Sequence, residues 1–494
     1  MIVLKFGGSS LASPASIRRV ASIVLSQVER DPVVVVSAIG ETTDQLLKIV
    51  EHAARAESYL AWKLQEEVRT YHFCLAEDLL SGEQLELIDR YIRQTFRDLH
   101  VRILEVCEGE RVLTPELRDW VASLGEQLSS RIVAAALQEN GIQAKYMDST
   151  KLILTDERFT NATPHYWETY ARIRWSIPIA ARTYVVVLGG FIGATEDGRT
   201  TTLGRGGSDL TASIVGAAVN AGEIQVWKDV DGMLTWDPKL RTGGYRLKNL
   251  SYDEAYELAH AGATILHPAT IAPAQRLRIP IIIRNTFHPD SEGTRIGVHG
   301  GPCFNPVKSV ACQSNVTVIE LRSPTGERTF TERSPVVERV CKEPKSATLL
   351  AVSGEVIYLA LNSDGRDAGL TFAPDHCMEV HVRTNQAIVT LVGQALKRCT
   401  VASRLSAFLT RMAAVILPQH SQSRSVHIVV AQEHLRACLD ALEAAFFSDV
   451  DPSAFALPEP AREQQPQRRQ KTSSSPEQHG FALARNRLAL GGTK

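Results

Sequence analysis

Lys5 stands one residue before a glycine pair, in Lys5-Phe-Gly-Gly-Ser-Ser10. A lysine at a strand end can reach a transferring phosphoryl group as a mobile point charge, and glycine lets backbone N–H groups approach phosphate oxygens. In isolation such a lysine is equally an ordinary surface cation. Three further glycine segments follow apolar runs: Ser37-Ala-Ile-Gly40, Gly189-Gly-Phe-Ile-Gly193 and Thr200-Thr-Thr-Leu-Gly-Arg-Gly-Gly-Ser-Asp209. In open α/β sheets, ligands bind at the C-terminal edge of the strands. One glycine turn there is unremarkable, but four converging on one edge are hard to explain by turns alone. Ser208 or Asp209 fits the N-cap of a helix running to about Ala221, and capping alone accounts for that pair. It does not account for Arg205 or the hydroxyls of Thr200 to Thr202, which together suit an anionic substrate.

A second carboxylate lies in a helix predicted over Glu116 to Glu139. Val121, Leu124, Leu128, Ile132 and Ala135 trace its buried stripe. Glu126 points away from that stripe, where most glutamates are solvated. Here Gly125 precedes it and Ser129 and Ser130 follow, so another group can pack close. Further on, Val226-Trp-Lys-Asp-Val-Asp-Gly-Met-Leu-Thr-Trp-Asp-Pro238 ends another strand. Asp229, Asp231 and Asp237 suit Mg²⁺ or the ordering of a nucleotide loop. Asp231-Gly232 and Asp237-Pro238 are also plain turn dipeptides. No GxxxxGK[ST] loop and no protein-kinase triad occur.

The elements that must position these residues alternate in type. Strands are predicted at Met1 to Phe6, Val33 to Ser37, Gln143 to Met147, Tyr184 to Leu188, Gln225 to Trp227 and Pro280 to Arg284. A helix is predicted over Ala15 to Glu29. Such alternation implies a mostly parallel sheet sandwiched by helices. Between about Ala53 and Val112 lies a helical insertion, read either as a solvated hairpin or as a lid. Gly300 to Pro306 forms a Gly/Pro linker. Val310 to about Phe447 reads as a twofold repeat of small α+β units. The second of these, Gln386 to Phe447, shows a βαββα order. From Asp451 onward the chain is polar, and Ala461 to Lys494 holds seven Lys/Arg against two Glu. That composition predicts a disordered tail.

The 494 residues carry 54 Lys and Arg against 55 Asp and Glu, so no basic excess advertises a nucleic-acid partner. Eight cysteines without a CxxC pair indicate neither a zinc module nor a disulfide framework, and read as reduced thiols. The apolar runs are too short to span a membrane, and no signal peptide is read at the N-terminus. A cytoplasmic location is the expectation.

Taken together, KFGGSS, VVVVSAIGETTD, SLGEQLSSR, GGFIGATEDGRTTTLGRGGSDLTA, VWKDVDGMLTWDP, AGATILHP and RIPIIIRN resemble the aspartate kinases, of the amino-acid kinase family with C-terminal ACT domains. The resemblance runs in the family's order through nearly all of residues 1–298. It implies transfer of the ATP γ-phosphoryl group, with Mg²⁺, to the β-carboxylate of L-aspartate. The product would be 4-phospho-L-aspartate, at the entry to lysine, threonine and methionine. It further implies a catalytic domain over 1–299, a tandem ACT-like region over 308–450 that pairs two copies into a homodimer, and a tail over 451–494. By motif position, Lys5 would hold the transferring group with Gly7 and Gly8, and Asp209 would order Lys5. Ser37 and Thr43 would lie by the aspartate. Glu126 would pair with its ammonium, and Arg205 would hold its carboxylate beside Ser208. Lys228, Asp229, Leu234, Lys239 and Thr264 would line the ATP pocket.

The sequence departs from the family at several of these positions. The family often has Thr or Ser at 228, Tyr at 234 and Arg at 239, and a Lys is common at 264. Two other readings of the same fold are a kinase for another small carboxylate and a catalytically weak amino-acid or nucleotide sensor. In the first ACT-like unit the family's lysine-sensing version carries an acid, whereas Lys345 to Leu350 has none until Glu355. Weak inhibition by lysine is therefore expected.

Overall fold

The structure is a computed structural model. It describes residues 1–109, 112–238, 240–262, 265–322, 348–353, 356–361, 379–394, 396–418 and 423–456. The described chain falls into two compact units. The first comprises Met1–Gly232 and His267–Val298, and the second Met233–Leu266 and the chain from His299 onward. The catalytic domain expected over 1–299 thus differs from the first unit by the segment Met233–Leu266, which packs with the later residues.

Along the chain the strands are β1 Ile2–Phe6, β2 Pro32–Val36, β3 Ala144–Met147, β4 Val185–Gly189, β5 Ile192–Ala194, β6 Thr200–Thr202 and β7 Ile224–Lys228. Then come β8 Arg246–Leu247, β9 Asn249–Ser251, β10 Ile281–Asn285 and β11 Thr294–Gly297. In the first unit the main sheet runs β3-β4-β2-β1-β7-β10-β11. All its neighbouring pairs are parallel except β10 with β11. Every residue of β1, β2 and β4 is buried, as unbroken apolar runs in a two-sided parallel sheet must be. The register aligns their C-terminal ends: Phe6 lies beside Val36 and Trp227, and Val36 beside Gly189. The exits of β1, β2, β4 and β7 therefore open on one edge, as expected for the glycine segments.

The helices of this unit are α1 Pro14–Leu25, α2 Thr42–Ala54, α3 Ser58–Leu79, α4 Gly82–Cys107, α5 Pro115–Glu139, α6 Tyr166–Ala180 and α7 Gly207–Val219. A further helix, Pro268–Arg276, packs against α7. The insertion forms a helical hairpin, α3 and α4. It is not simply solvated, because Val68, Leu75, Ile92, Phe96, Leu99 and Ile103 join the same apolar core as β1 and β2. Tyr71 of α3 donates its hydroxyl to the Ala12 carbonyl at 2.9 Å. This packing explains why α5 has no solvent face. It starts with the Thr114 hydroxyl accepting from the Leu117 N–H at 3.1 Å, with Pro115 in the first turn. It is then covered by the sheet on one side and by the hairpin and α2 on another. The one-sided stripe expected for α5 is too narrow, since Ser123, Glu126, Ser129 and Ser130 are buried as well.

In the second unit, β12 Ser309–Arg322, β13 Thr348–Ser353, β14 Val356–Leu361, β15 Glu379–Val392, β16 Val415–Ile416 and β17 Ser425–Ala431 form one sheet, in the order β13-β14-β12-β15-β17-β16. All its described pairings are antiparallel. With helices at Arg398–Arg404, Ser406–Arg411 and Leu435–Phe446, the later half has the expected βαββα order. Glu355 and the first half of the Lys345 to Leu350 stretch, residues 345–347, lie outside the described residues, as does everything beyond Ala456.

The expected tail start at Asp451 is a few residues early. A last strand, β18 Phe455–Ala456, pairs with β8. Phe455 is fully buried, with its ring against Tyr245 at 6.2 Å and Phe447 at 6.3 Å. A single aromatic side chain in a polar stretch is enough to anchor it. Phe455→Ala is expected to destabilise the second unit by about 3–5 kcal/mol, seen as a lowered melting midpoint. Removing residues 461–494, whose composition offers no apolar pattern, should leave that midpoint nearly unchanged.

Candidate active site

The exits of the aligned strands deliver the polar groups to one place. A cavity of about 300 Å³ is lined by Lys5, Ser37, Thr43, Glu126, Phe191, Gly204, Arg205, Gly206, Gly207, Ser208 and Asp209. All seven residues expected at the catalytic and substrate positions are among them. Lys5 is the penultimate residue of β1, Ser37 follows β2, and Thr43 is the second residue of α2. Glu126 comes from the middle of α5, Arg205 from the loop between β6 and α7, and Ser208 and Asp209 from the first turn of α7.

Lys5 and Asp209 form a buried ion pair, Nζ to Oδ1 at 2.6 Å. The other oxygen, Oδ2, is 3.1 Å from Lys228 Nζ. Burial opposes the charge on Asp209, but Lys5 and Lys228 together hold its carboxyl below the usual range. Burial pushes the Lys5 ammonium down, against the pull of Asp209.

Glu126 is 3% exposed. Its Oε1 accepts the Ala38 N–H at 3.1 Å. Among the described residues its Oε2 has no hydrogen-bond partner. Burial pushes this carboxyl up to about 8, against the Ala38 N–H and the charge of Lys5. The approach of Ala38 depends on Gly125, where an added Cβ would lie 2.7 Å from that of Ala38. A buried carboxylate with a vacant oxygen is a socket for a cation. Arg205 is exposed and lies on the same cavity.

The loop carrying Arg205 is held from both ends. Gly206 sits at φ +75°, and an added Cβ there would meet that of His267 at 2.3 Å. Gly206 is also the N-cap of α7, and no side chain caps this helix. The capping role weighed for Ser208 and Asp209 is therefore not realised. Both lie inside the first turn, with their side chains on the cavity, at a helix end that favours anions. At the other end, Asp119 of α5 accepts from the Thr202 N–H at 2.9 Å, the Thr202 hydroxyl at 2.7 Å and the Thr160 N–H at 2.8 Å.

Two contributors were not singled out from the sequence. Asp119 looked like one of many helix carboxylates, and only its burial reveals its part. Phe191 lines the cavity with a left-handed φ of +67°, a costly conformation for a side-chain-bearing residue. Its position between the glycines of Gly189 to Gly193 was the available signal.

The residues expected around a nucleotide are less gathered. Gly7 and Gly8 follow β1, and a Cβ on Gly7 would lie 3.8 Å from Lys5 Nζ. Lys228 reaches Asp209, while Asp229 is exposed just beyond β7. Leu234 belongs to the second unit, where its carbonyl accepts the Ser309 hydroxyl at 2.9 Å. Lys239 and Thr264 lie outside the described residues. Of the other acids of that segment, Asp231 accepts from Asn285 at 2.8 Å and is 3.0 Å from His288 Nδ1.

Known proteins are similar to this chain in sequence and fold. The sequence profile of the amino acid kinase family matches residues 1–285. Aspartokinase 1, chloroplastic, of Arabidopsis thaliana is 31% identical over 482 residues, which cover 92% of this chain and 82% of that protein. The lysine-sensitive aspartokinase 3 of Escherichia coli is 28% identical, over 90% of this chain and 99% of that protein. The crystal structure of E. coli aspartokinase III with aspartate and ADP superposes with a TM-score of 0.77 at 27% identity, covering 90% of this chain and all of the other. A family profile that spans residues 1–285, and relatives matched over most of their lengths, lead to one assignment: the chain belongs to the amino acid kinase family, as one of its aspartokinases.

Proposed function

We propose that this aspartokinase moves the γ-phosphoryl group of ATP onto the β-carboxylate of L-aspartate within the cavity at the ends of β1 and β2. The observation that carries this reading is the buried Glu126, whose Oε2 has no hydrogen-bond partner among the described residues, on a cavity that Arg205 also lines. L-Aspartate carries one ammonium and two carboxylates. Glu126 answers the ammonium, and Arg205 answers the α-carboxylate as a planar fork. Ser37, Thr43 and Ser208 donate to the remaining oxygens. The β-carboxylate is then directed toward Lys5.

The acceptor is already ionised, so no base need remove a proton. A β-carboxylate oxygen bonds to the γ-phosphorus as the bond to the bridging oxygen breaks, and that electron pair leaves on ADP. Lys5, with Gly7 and Gly8, neutralises and positions the transferring group. In the first unit the nucleotide would be held by Lys228 and Asp229. The E. coli neighbour, solved with aspartate and ADP, supports a nucleotide in this role. Among the described residues no three His, Cys, Asp or Glu side chains gather into a metal cage. This donor chemistry suits Mg²⁺ carried in by the phosphate oxygens, where it would neutralise phosphate charge. We read the C-terminal sheet as tandem ACT-like units through which two copies pair. No helix among the described residues is long and apolar enough to cross a membrane.

An ADP-release assay over a panel of amino acids tests the substrate. Lys5→Ala is expected to abolish transfer while aspartate still binds, because its charge matters most in the transition state. Near-normal turnover with only a raised aspartate KM would overturn that role.

Glu126→Gln is expected to cost about 3–5 kcal/mol of aspartate binding, by leaving the buried ammonium unpaired, and Arg205→Ala, at an exposed position, is expected to cost less. ATP affinity should be spared. The pH dependence follows from the raised Glu126 carboxyl. Below about 8 the empty site holds it protonated, so binding an ammonium there expels a proton. Aspartate KM should therefore fall as pH rises toward 8 in the native protein, and should stay flat in Glu126→Gln.

Lysine is expected to inhibit weakly, since Lys345 to Leu350 offers no acid for its ammonium. A lysine titration of the same assay checks this, and strong inhibition at micromolar lysine would refute it.

A further inference from the structure

We propose that Lys228 is a positioning residue of the phosphoryl-transfer site, acting through Asp209, rather than only a wall of the nucleotide pocket. The inference rests on the reading of the cavity given above and concerns how its charges are balanced.

The Lys5–Asp209 pair, taken alone, is electrically neutral. A neutral pair presents little field to a group that gathers negative charge as it transfers. It also leaves the second carboxylate oxygen free to pull the lysine away from its work. The structure removes both problems with one side chain. Lys228 Nζ lies 3.1 Å from Asp209 Oδ2, while Lys5 Nζ lies 2.6 Å from Oδ1. The ammonium–carboxylate–ammonium set carries a net charge of +1, and the carboxylate is fixed by both oxygens.

The strand register makes this geometry unavoidable. In the parallel pair β1–β7, Lys5 lies beside Val226. Lys228 is two residues further along β7, so by strand alternation it projects from the same face as Lys5. Phe6 and Trp227 project from the other face, where their rings stack at 6.0 Å. Burial strengthens the set: the side chains of Lys5 and Asp209 are 6% and 7% exposed, and that of Lys228 is 20% exposed. A Thr or Ser at 228, common in the family, could not span this distance as a cation.

The titratable and charged groups facing Lys5 are Asp209 from α7, Lys228 from β7 and Glu126 from α5. Asp209 and Glu126 favour its charge, and Lys228 disfavours it. Losing Lys228 should therefore raise the pH at which Lys5 gives up its proton. A variant that lost only a nucleotide contact would raise the ATP KM and leave kcat in place.

The test compares the full-length native protein with Lys228→Met and Lys228→Arg, with aspartate and ATP varied separately from neutral to alkaline pH. For Lys228→Met, kcat should fall about 100-fold, the scale of losing one preorganised electrostatic partner. Aspartate KM should change by less than ~3-fold, because uniform binding is untouched. The alkaline limb of kcat should move to higher pH, and Lys228→Arg should recover part of the rate. Retained kcat with only a raised ATP KM would overturn the proposal and leave Lys228 a nucleotide contact. An unmoved alkaline limb would overturn it as well. If the melting midpoint shows that Lys228→Met fails to fold, Lys228→Gln is judged by the same criteria. A native protein that cannot phosphorylate aspartate at all would overturn the underlying reading instead.

Discussion

A carboxylate shared between two ammonium groups sets the conditions for the rest of this site. Asp209 is buried, and a buried acid survives as an anion only when neighbouring cations offset its lost hydration. Lys5 and Lys228 provide those cations from adjacent strands. They can do so only if β1 and β7 are parallel, in register, and end together. The register in turn follows from unbroken apolar runs that are covered on both faces. The chemistry is thus tied to the least polar part of the chain, since a slip of one residue would send Lys5 to the opposite face.

Polarity in the cavity is divided between two supports. The sheet edge supplies Lys5 and Ser37, which are immobile because their strands are central. The loop before α7 supplies Arg205, and its conformation is set by Gly206 against His267 on one side and by Asp119 bonding Thr202 on the other. A rigid edge suits the transferring group, whose position decides the rate. A loop with an exposed arginine suits the acceptor, which must enter and leave.

Much of this was legible in the sequence because the chemistry is written in residue types that have few other uses at those spacings. The glycine segments marked strand ends, and the residues beside them proved to line one cavity. Burial was harder to read. Glu126 looked half-solvated because periodicity shows only the strongest apolar stripe of a helix. The covering of α5 on its other sides comes from a hairpin whose docking no local pattern reveals. Ser208 and Asp209 resembled helix caps because their types are those of caps, yet a glycine with a left-handed backbone took that place. Lys228 read as part of a nucleotide loop, and its reach to Asp209 emerges only from the strand register. The boundary near Asp451 failed for a similar reason: Phe455 finds Tyr245 and Phe447, partners far away in sequence or on another element.

Helix α5 carries both Asp119 and Glu126, seven residues and therefore about 10 Å of helix axis apart. One fastens the glycine loop through Thr202, and the other reaches the exit of β2 through Ala38. The helix is a single rod between two jaws of the same vice. An axial slide of α5 would displace both acids together. In the proposed reading, selectivity for the acceptor's ammonium and placement of the loop that meets its carboxylate are mechanically one variable. A variant that repacks α5 against its hairpin would shift both at once, far from any residue that touches the substrate.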